Sequence, residues 1–410
     1  MIKTIGKVQL DVTKYSGRDL SANAAVEDEI LKIVQNNAQE EYTEAIESGL
    51  SWPVVYHLSP LRRNIVDWIP MDKSMKVLEV GSDCGALTGS LCRKAGVVTC
   101  VESSKRRSII NATRNRSYDN LTIHVGNLKD IEPALPTDYD YIFLIGTSEK
   151  GLKDICGFVP FEELLKCLKG HISTQGRIVI AFETQGDNVS FGVRRTLEET
   201  FASCGISEYH FYHPYPDVQF VTELSEDSYL PGGEEQAIKK RNESDCGLAV
   251  IGQEFDIKYV KYSNDRAPEY AIRTEIIERD GVKVVRKFPM EEASVAHVRH
   301  MKEAYDKLQK RFAGSPLEIN ECSLMNDAQG TYAEFAFVQG IPLSQLMDAC
   351  LEREDYEGFY ALFEEYLEKI SFHSDYPVTD FDLIFANFLV DGDKWTLIDY
   401  EWTFDRVQDP

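Results

Sequence analysis

Residues 77–102, VLEVGSDCGALTGSLCRKAGVVTCVE, constrain the fold more than any other stretch of this chain. A hydrophobic strand over 77–80 enters a turn bearing Gly81 and Gly85. A short apolar helix carries Leu87 and Leu91. A second strand over 97–101 then stops on an acid, Glu102. Strand, glycine turn, helix, strand and terminal acid make half of a doubly wound α/β sheet. The turn opens the carboxyl edge of the sheet to a ligand, and the acid is placed to accept hydrogen bonds from ribose hydroxyls.

The glycine spacing narrows the ligand. A pyrophosphate needs G-x-G-x-x-G/A at a helix N-terminus. Here the third position is Ala86, but the middle one is Asp83, and a carboxylate repels a pyrophosphate. S-adenosylmethionine (SAM) carries a ribose and a sulfonium cation but no phosphate, so an acid-rich turn suits it, and Glu79 adds negative charge for its amino group. Glu79, Gly81, Gly85 and Glu102 together resemble motif I and the acidic strand end of class I SAM-dependent methyltransferases, E-x-G-x-G-x-G. Asp83 departs from that pattern at a position where a side chain makes positive φ harder to reach. The resemblance implies a Rossmann-like sheet with SAM as cofactor. It implies cofactor contacts from Tyr56, beside His57 in the aromatic approach segment 52–68, from Asn127 and Leu128 after a strand over 121–125, and from Gly146 after a strand over 139–145.

Strands and helices keep alternating. Helices are predicted over 24–49, 103–115 and 161–168, strands over 177–182, 208–212 and 247–252, and a turn-rich insertion separates the last two. The reading is a methyltransferase domain over 1–252, with 1–70 as a helical cap and 71–252 as the α/β core. In-line placement of donor and acceptor carries most of a methyl transfer. A phosphate acceptor needs no base; a hydroxyl acceptor does, and Glu149 is the candidate.

After residue 253 the pattern changes. Segments 271–277 and 282–288 flank Asp280-Gly281 as a β-hairpin. A helix follows with Val295, Val298, Met301, Tyr305 and Leu308 on one face, then a strand pair through 332–338. In TDFDLIFANFLVDGDKWTLIDYEW (379–402), Asp382 and Asn387 stand five apart and an apolar strand ends on Asp399. This resembles the core of protein-kinase-like phosphotransferases, including small-molecule kinases of the choline and aminoglycoside type. The resemblance implies ATP with Mg2+. Lys287 would lie on the phosphates, with Glu303 or Glu292 as its partner. Asp382 would orient the acceptor hydroxyl, and Asn387 and Asp399 would hold the metal. Three departures stand out: KYSNDRAPEYAIRTEI lacks the glycines of a phosphate-covering loop, Asp380 stands where histidine is usual, and Tyr400-Glu401 replaces Phe-Gly. The reading is an α+β kinase-like domain over 257–410, with an N-lobe over 257–340 and a partial C-lobe over 341–410, most of whose helices are expected beyond residue 410.

The net charge of −24 argues against a nucleic-acid surface. Nine cysteines without a C-x-x-C pair fit reduced thiols and a cytoplasmic location. No apolar run approaches the roughly 20 residues of a membrane span, so membrane contact is expected only through a partner. A methyltransferase domain followed by a kinase-like domain resembles the bifunctional kinase–methyltransferases that terminate bacterial surface polysaccharides. That resemblance implies a glycan or sugar-phosphate acceptor and glycosyltransferase partners. Two rival readings are a methyltransferase fused to a non-catalytic kinase-like scaffold and a pure interaction protein. Histidines 297 and 300, with no third metal ligand evident beside them, are read as surface or packing residues, and histidines 210 and 213 as edge packing.

Overall fold

The computed structural model describes residues 1–19, 24–49, 51–145, 155, 160–183, 194–227, 229, 246–327 and 330–406. The chain divides into two units, Met1–Phe255 and Asp256–Pro410. Gly146 and Glu149 lie outside the described residues.

In the first unit the strands are β1 (Ile2–Ile5), β2 (Val8–Asp11), β3 (Lys76–Val80), β4 (Val97–Glu102), β5 (Leu121–Val125), β6 (Tyr139–Leu144), β7 (Ile172–Glu183), β8 (Tyr209–Tyr215), β9 (Glu223–Glu226) and β10 (Cys246–Ile251). Their order is β1-β2-β5-β4-β3-β6-β7-β10-β8-β9. From β2 to β7 neighbouring strands pair in parallel. β10 lies antiparallel between β7 and β8. A parallel sheet that winds outward in both directions from β3, with its last strand inserted antiparallel, is the class I methyltransferase fold. Its reversal point, between β3 and β6, is where ligands meet the carboxyl edge.

Continuous apolar runs dictate this arrangement, because strands covered on both faces lose the alternation of half-buried ones. Leu78, Val80, Val101, Ile142, Leu144 and Ile180 join Leu165 of the helix Phe161–Lys169 and Leu197 of the helix Arg194–Ser203 in one core. The expected 24–49 helix is two helices, Ala24–Asn36 and Thr43–Gly49. Between them Glu40 takes φ +68° and turns its carboxylate onto Arg93 (2.5 Å) and Arg63 (3.6 Å), a pairing that a continuous helix would not allow. The amino-terminal region is also not wholly helical, since the β1–β2 hairpin extends the sheet past β5.

The second unit opens with β11 (Ile257–Tyr262), β12 (Ile272–Arg279) and β13 (Val282–Pro289), followed by the helix Val295–Arg311, β14 (Leu317–Ile319), β15 (Cys322–Asp327) and β16 (Gly330–Ala336). The antiparallel order is β11-β12-β13-β16-β15. Asp280 (φ +52°) and Gly281 (φ +76°) form the two-residue turn, with the paired positive φ of a type I′ hairpin. Val298, Met301, Ala304 and Leu308 bury one face of the helix in a core shared with Ala333 and Phe335. Five antiparallel strands with one helix packed on them begin the kinase-like domain. Beyond them come β17 (Ile341–Pro342), two helices (Leu343–Glu352 and Tyr356–Ile370), β18 (Thr379–Asp380), β19 (Phe388–Asp391), β20 (Lys394–Leu397) and β21 (Thr403–Phe404). β19 and β20 make the hairpin between Asn387 and Asp399. No helix among the described residues is long and apolar enough to cross a membrane, and none of the eight cysteines described forms a disulfide.

Candidate functional site

The turn after β3 gathers three carboxylates. Gly81 and Gly85 have φ of +82° and +78°, and Asp83, between them, takes φ +47°. The expected difficulty at Asp83 is thus met by strain, which an aspartate tolerates better than most residues. Two basic side chains hold its carboxylate: His57 Nδ1 lies 3.4 Å from Oδ2 and Arg107 Nε 3.4 Å from Oδ1. Burial lowers the His57 imidazole's affinity for a proton, against the pull of Asp83. His57 belongs to the helix Trp52–Leu58, so this contact lays the approach segment onto the glycine turn. On the same helix Tyr56 stands under the Arg62 guanidinium, 4.3 Å from its ring centroid, and accepts a 3.3 Å hydrogen bond from it. Arg62 Nη1 also donates to Gln219 O (3.2 Å), and Trp52 meets Phe220 edge-on, so the chain after β8 closes on this segment.

Glu102, 2% exposed, accepts the backbone N–H of Asp83 (3.0 Å) on one oxygen and that of Ser104 (2.9 Å) on the other. Glu79, 3% exposed, accepts from Thr88 Oγ1 (2.7 Å) and Cys100 Sγ (3.3 Å). Thr88 in turn accepts from Asn111 (3.0 Å) on the helix Lys105–Arg114. Gly85 is required twice over: by its φ, and because a Cβ there would lie 2.4 Å from Asn111 Oδ1. Burial raises the Glu79 carboxyl to about 7, with Glu102 and Asp83 adding repulsion. Burial likewise raises Glu102 to about 7, reinforced by Asp83 and opposed by the Ser104 N–H and Arg107. A turn with this surplus of half-suppressed negative charge fits a cationic ligand bearing hydroxyl donors. It does not fit a pyrophosphate.

Two further expected residues sit at the end of β5. Asn127 caps the short helix Leu128–Ile131, its side chain accepting the Lys129 N–H (3.0 Å). Leu128 is 2% exposed and its side chain lies in the core, which leaves its backbone as the part able to meet a ligand.

In the second unit Lys287, Asp382, Asn387 and Asp399 belong to one cluster. Lys287 Nζ donates to Asp399 Oδ1 (2.9 Å) and to Glu401 Oε1 (2.5 Å). Glu401 Oε2 is paired with Arg266 and with His297 Nε2 (3.2 Å). Asn387 Nδ2 donates to Asp382 O (3.0 Å), and the Trp402 N–H donates to Asp382 Oδ2 (3.0 Å). Burial alone would lower the Lys287 ammonium, but Asp399 and Glu401 hold it above the usual lysine value. Burial alone would raise Glu401, but Lys287, His297 and Arg266 hold it well below the usual carboxylate range. Burial, then the charge of Asp399, raises Asp382 to about 6.

The lysine's partner corrects the sequence reading. Glu303 is 67% exposed and lies beside His300 (3.8 Å), and Glu292 is exposed. The carboxylate comes instead from Glu401, two residues past Asp399, and the helix contributes His297. His300 Nε2 lies 2.9 Å from Thr403 O. Arg266, Glu401 and His297 were missed because no spacing rule joins three residues so far apart in the chain. The acid replacing glycine in Asp-Tyr-Glu was the available hint. For Mg2+ the donor set fits: Asn387 bonds through its nitrogen and so keeps its carbonyl oxygen, and Asp399 has a second carboxylate oxygen, both hard donors.

No family model matches the chain, and no curated protein matches it. Solved structures give low-scoring likenesses. The bifunctional kinase-methyltransferase WbdD is 13% identical, with a TM-score of 0.31 over 91% of this chain and 78% of that one. A TehB-like SAM-dependent methyltransferase from Corynebacterium glutamicum is 15% identical, with a TM-score of 0.32 over 52% of this chain and 98% of that one. A putative SAM-dependent methyltransferase from Streptococcus mutans is 13% identical, with a TM-score of 0.33 over 47% of each chain. By strand order, register and the placement of its acids and lysine, the chain joins a class I methyltransferase fold to a kinase-like fold.

Proposed function

We propose that the first unit transfers a methyl group from SAM to an oxygen of a glycan or sugar phosphate in surface-polysaccharide synthesis, and that the second unit takes Mg·ATP to phosphorylate the same class of acceptor. The observation that carries the reading is Glu102. It is buried at the carboxyl edge of β4 and held by the backbone of the glycine turn, on the strand next to Glu79 and two residues past Glu79's register partner Cys100. SAM, when bound, supplies an electrophilic methyl on sulfur. The chain's residues do the rest: Glu102 accepts the ribose hydroxyls, Glu79 and Asp83 offset the positive charge, and Tyr56 and His57 keep water from the turn. Gly146 and Glu149 remain proposed contacts, Glu149 as base for a hydroxyl acceptor; a phosphate oxygen needs none. In the second unit Lys287 holds phosphate, Asp382 takes or orients the acceptor's proton, and Asn387 and Asp399 hold Mg2+. Glycosyltransferases are the proposed partners, and the proposed location is the cytoplasm.

Calorimetric titration with SAM and, separately, with Mg·ATP tests both halves. Binding of both is the expected result. SAM alone would leave the second unit a scaffold, and binding of neither would refute the reading.

A further inference from the structure

A kinase-like N-lobe ordinarily covers the nucleotide phosphates with a glycine-rich loop between its first two strands, whose backbone N–H groups donate to them. The segment between β11 and β12 cannot work that way. Residues 263–271 contain no glycine, and Pro268 lacks an N–H. The loop instead makes a compact turn, with the Arg266 N–H near Ser263 O (3.4 Å) and a short helical turn Pro268–Tyr270. Tyr270 pins its base, its ring 4.8 Å from Trp402 and 5.3 Å from His297.

What this loop sends into the cluster is a side chain. Arg266 reaches Glu401, the buried carboxylate that also takes Lys287 and His297. The arginine bonds it through Nη1, and its side chain remains 31% exposed. A guanidinium carries five N–H donors in a planar fork suited to phosphate. One bond to Glu401 orients that fork and leaves donors for a second anion, on the carboxylate already shared with the lysine.

We propose that Arg266 is a nucleotide-phosphate ligand that replaces the missing glycine-rich loop, with Glu401 positioning Arg266 and Lys287 together. The assignment rests on the Mg·ATP reading above. It predicts that phosphate recognition, rather than base recognition, depends on Arg266.

The test is titration of the full chain with Mg·ATP and with adenosine. Arg266→Met should weaken Mg·ATP about ten- to a hundredfold, the range of a charge-assisted contact, and leave adenosine within about twofold. Arg266→Lys should fall between. Equal loss of both ligands would mark a merely structural role and overturn the assignment, as would unchanged Mg·ATP affinity. Wild-type protein that binds adenosine no less tightly than Mg·ATP would also overturn it. Wild-type protein that binds neither would overturn the Mg·ATP reading itself. If the methionine variant does not fold, the Mg·ATP-to-adenosine ratio of the lysine variant decides the question.

Discussion

The acids around the glycine turn make SAM affinity depend on pH. Glu79 and Glu102 are both raised to about 7 from 4.5, chiefly by burial. In the unliganded protein each is therefore about half protonated near neutrality. Ribose hydroxyls and a sulfonium both favour the carboxylate, so binding should release protons. A single carboxyl with pKa near 7 is about one-tenth ionised at about pH 6 and nine-tenths at about pH 8. SAM should then bind about tenfold more tightly at the higher pH, and up to about a hundredfold if both acids must ionise. Stability of the unliganded protein runs the other way. A carboxyl whose folded pKa lies above its unfolded one contributes stability below pH 4.5 that is lost as pH rises through 7. The cost is at most about 3 kcal/mol per group, less when the two titrate as a coupled pair. Calorimetry across this range, in buffers of different ionisation enthalpy, reads both affinity and proton release. A dissociation constant flat from about pH 6 to about pH 8, with no proton release, would refute the assignment of these acids to the cofactor.

Other expectations follow from single residues. Glu102→Ala should weaken SAM at least about tenfold, having lost a charged acceptor, while circular dichroism shows a folded protein. Gly85→Ala forces an L side chain to φ +78° with its Cβ 2.4 Å from Asn111 Oδ1. It should cost at least about 2 kcal/mol in urea unfolding. Lys287→Met should abolish Mg·ATP binding and destabilise by about 2–4 kcal/mol, because it leaves Glu401 buried with one cation fewer. Adding Glu401→Gln should recover part of that loss in a double-mutant cycle, and a strictly additive cycle would show that the pair is uncoupled.

Much of the fold was legible because its signals are local. The run of apolar residues through β3 and β4 fixes strands covered on both faces, and Asp280-Gly281 fixes a hairpin. The element Leu121–Val125 is found over the span its pattern predicts. The break at Glu40 was not legible, since its cause is two arginines, one of them more than fifty residues away. The β1–β2 hairpin escaped notice because its strands are four residues each, too short for alternation to speak. At the candidate sites, residue types in a motif could be read, but their partners could not. Glu79 and Glu102 follow from the strand ends; Thr88, Cys100 and Arg107 around them follow only from packing. The lysine on β13 was clear, whereas its carboxylate partner, sought on the following helix, came from beyond Asp399.

The amino-terminal hairpin has a consequence for how the protein can fail. β2 pairs with β5 through Leu10↔Ile123, and Gly6 is pressed so close to Arg116 that a Cβ would lie 2.3 Å from its carbonyl oxygen. Without the first dozen residues β5 would present a bare row of N–H and C=O groups beside Leu121, Ile123 and Val125, a ready template for another chain. The hairpin is thus an edge guard. A protein shortened at this end would fail first by sticking to its own copies, with the glycine turn, two strands further in, still intact.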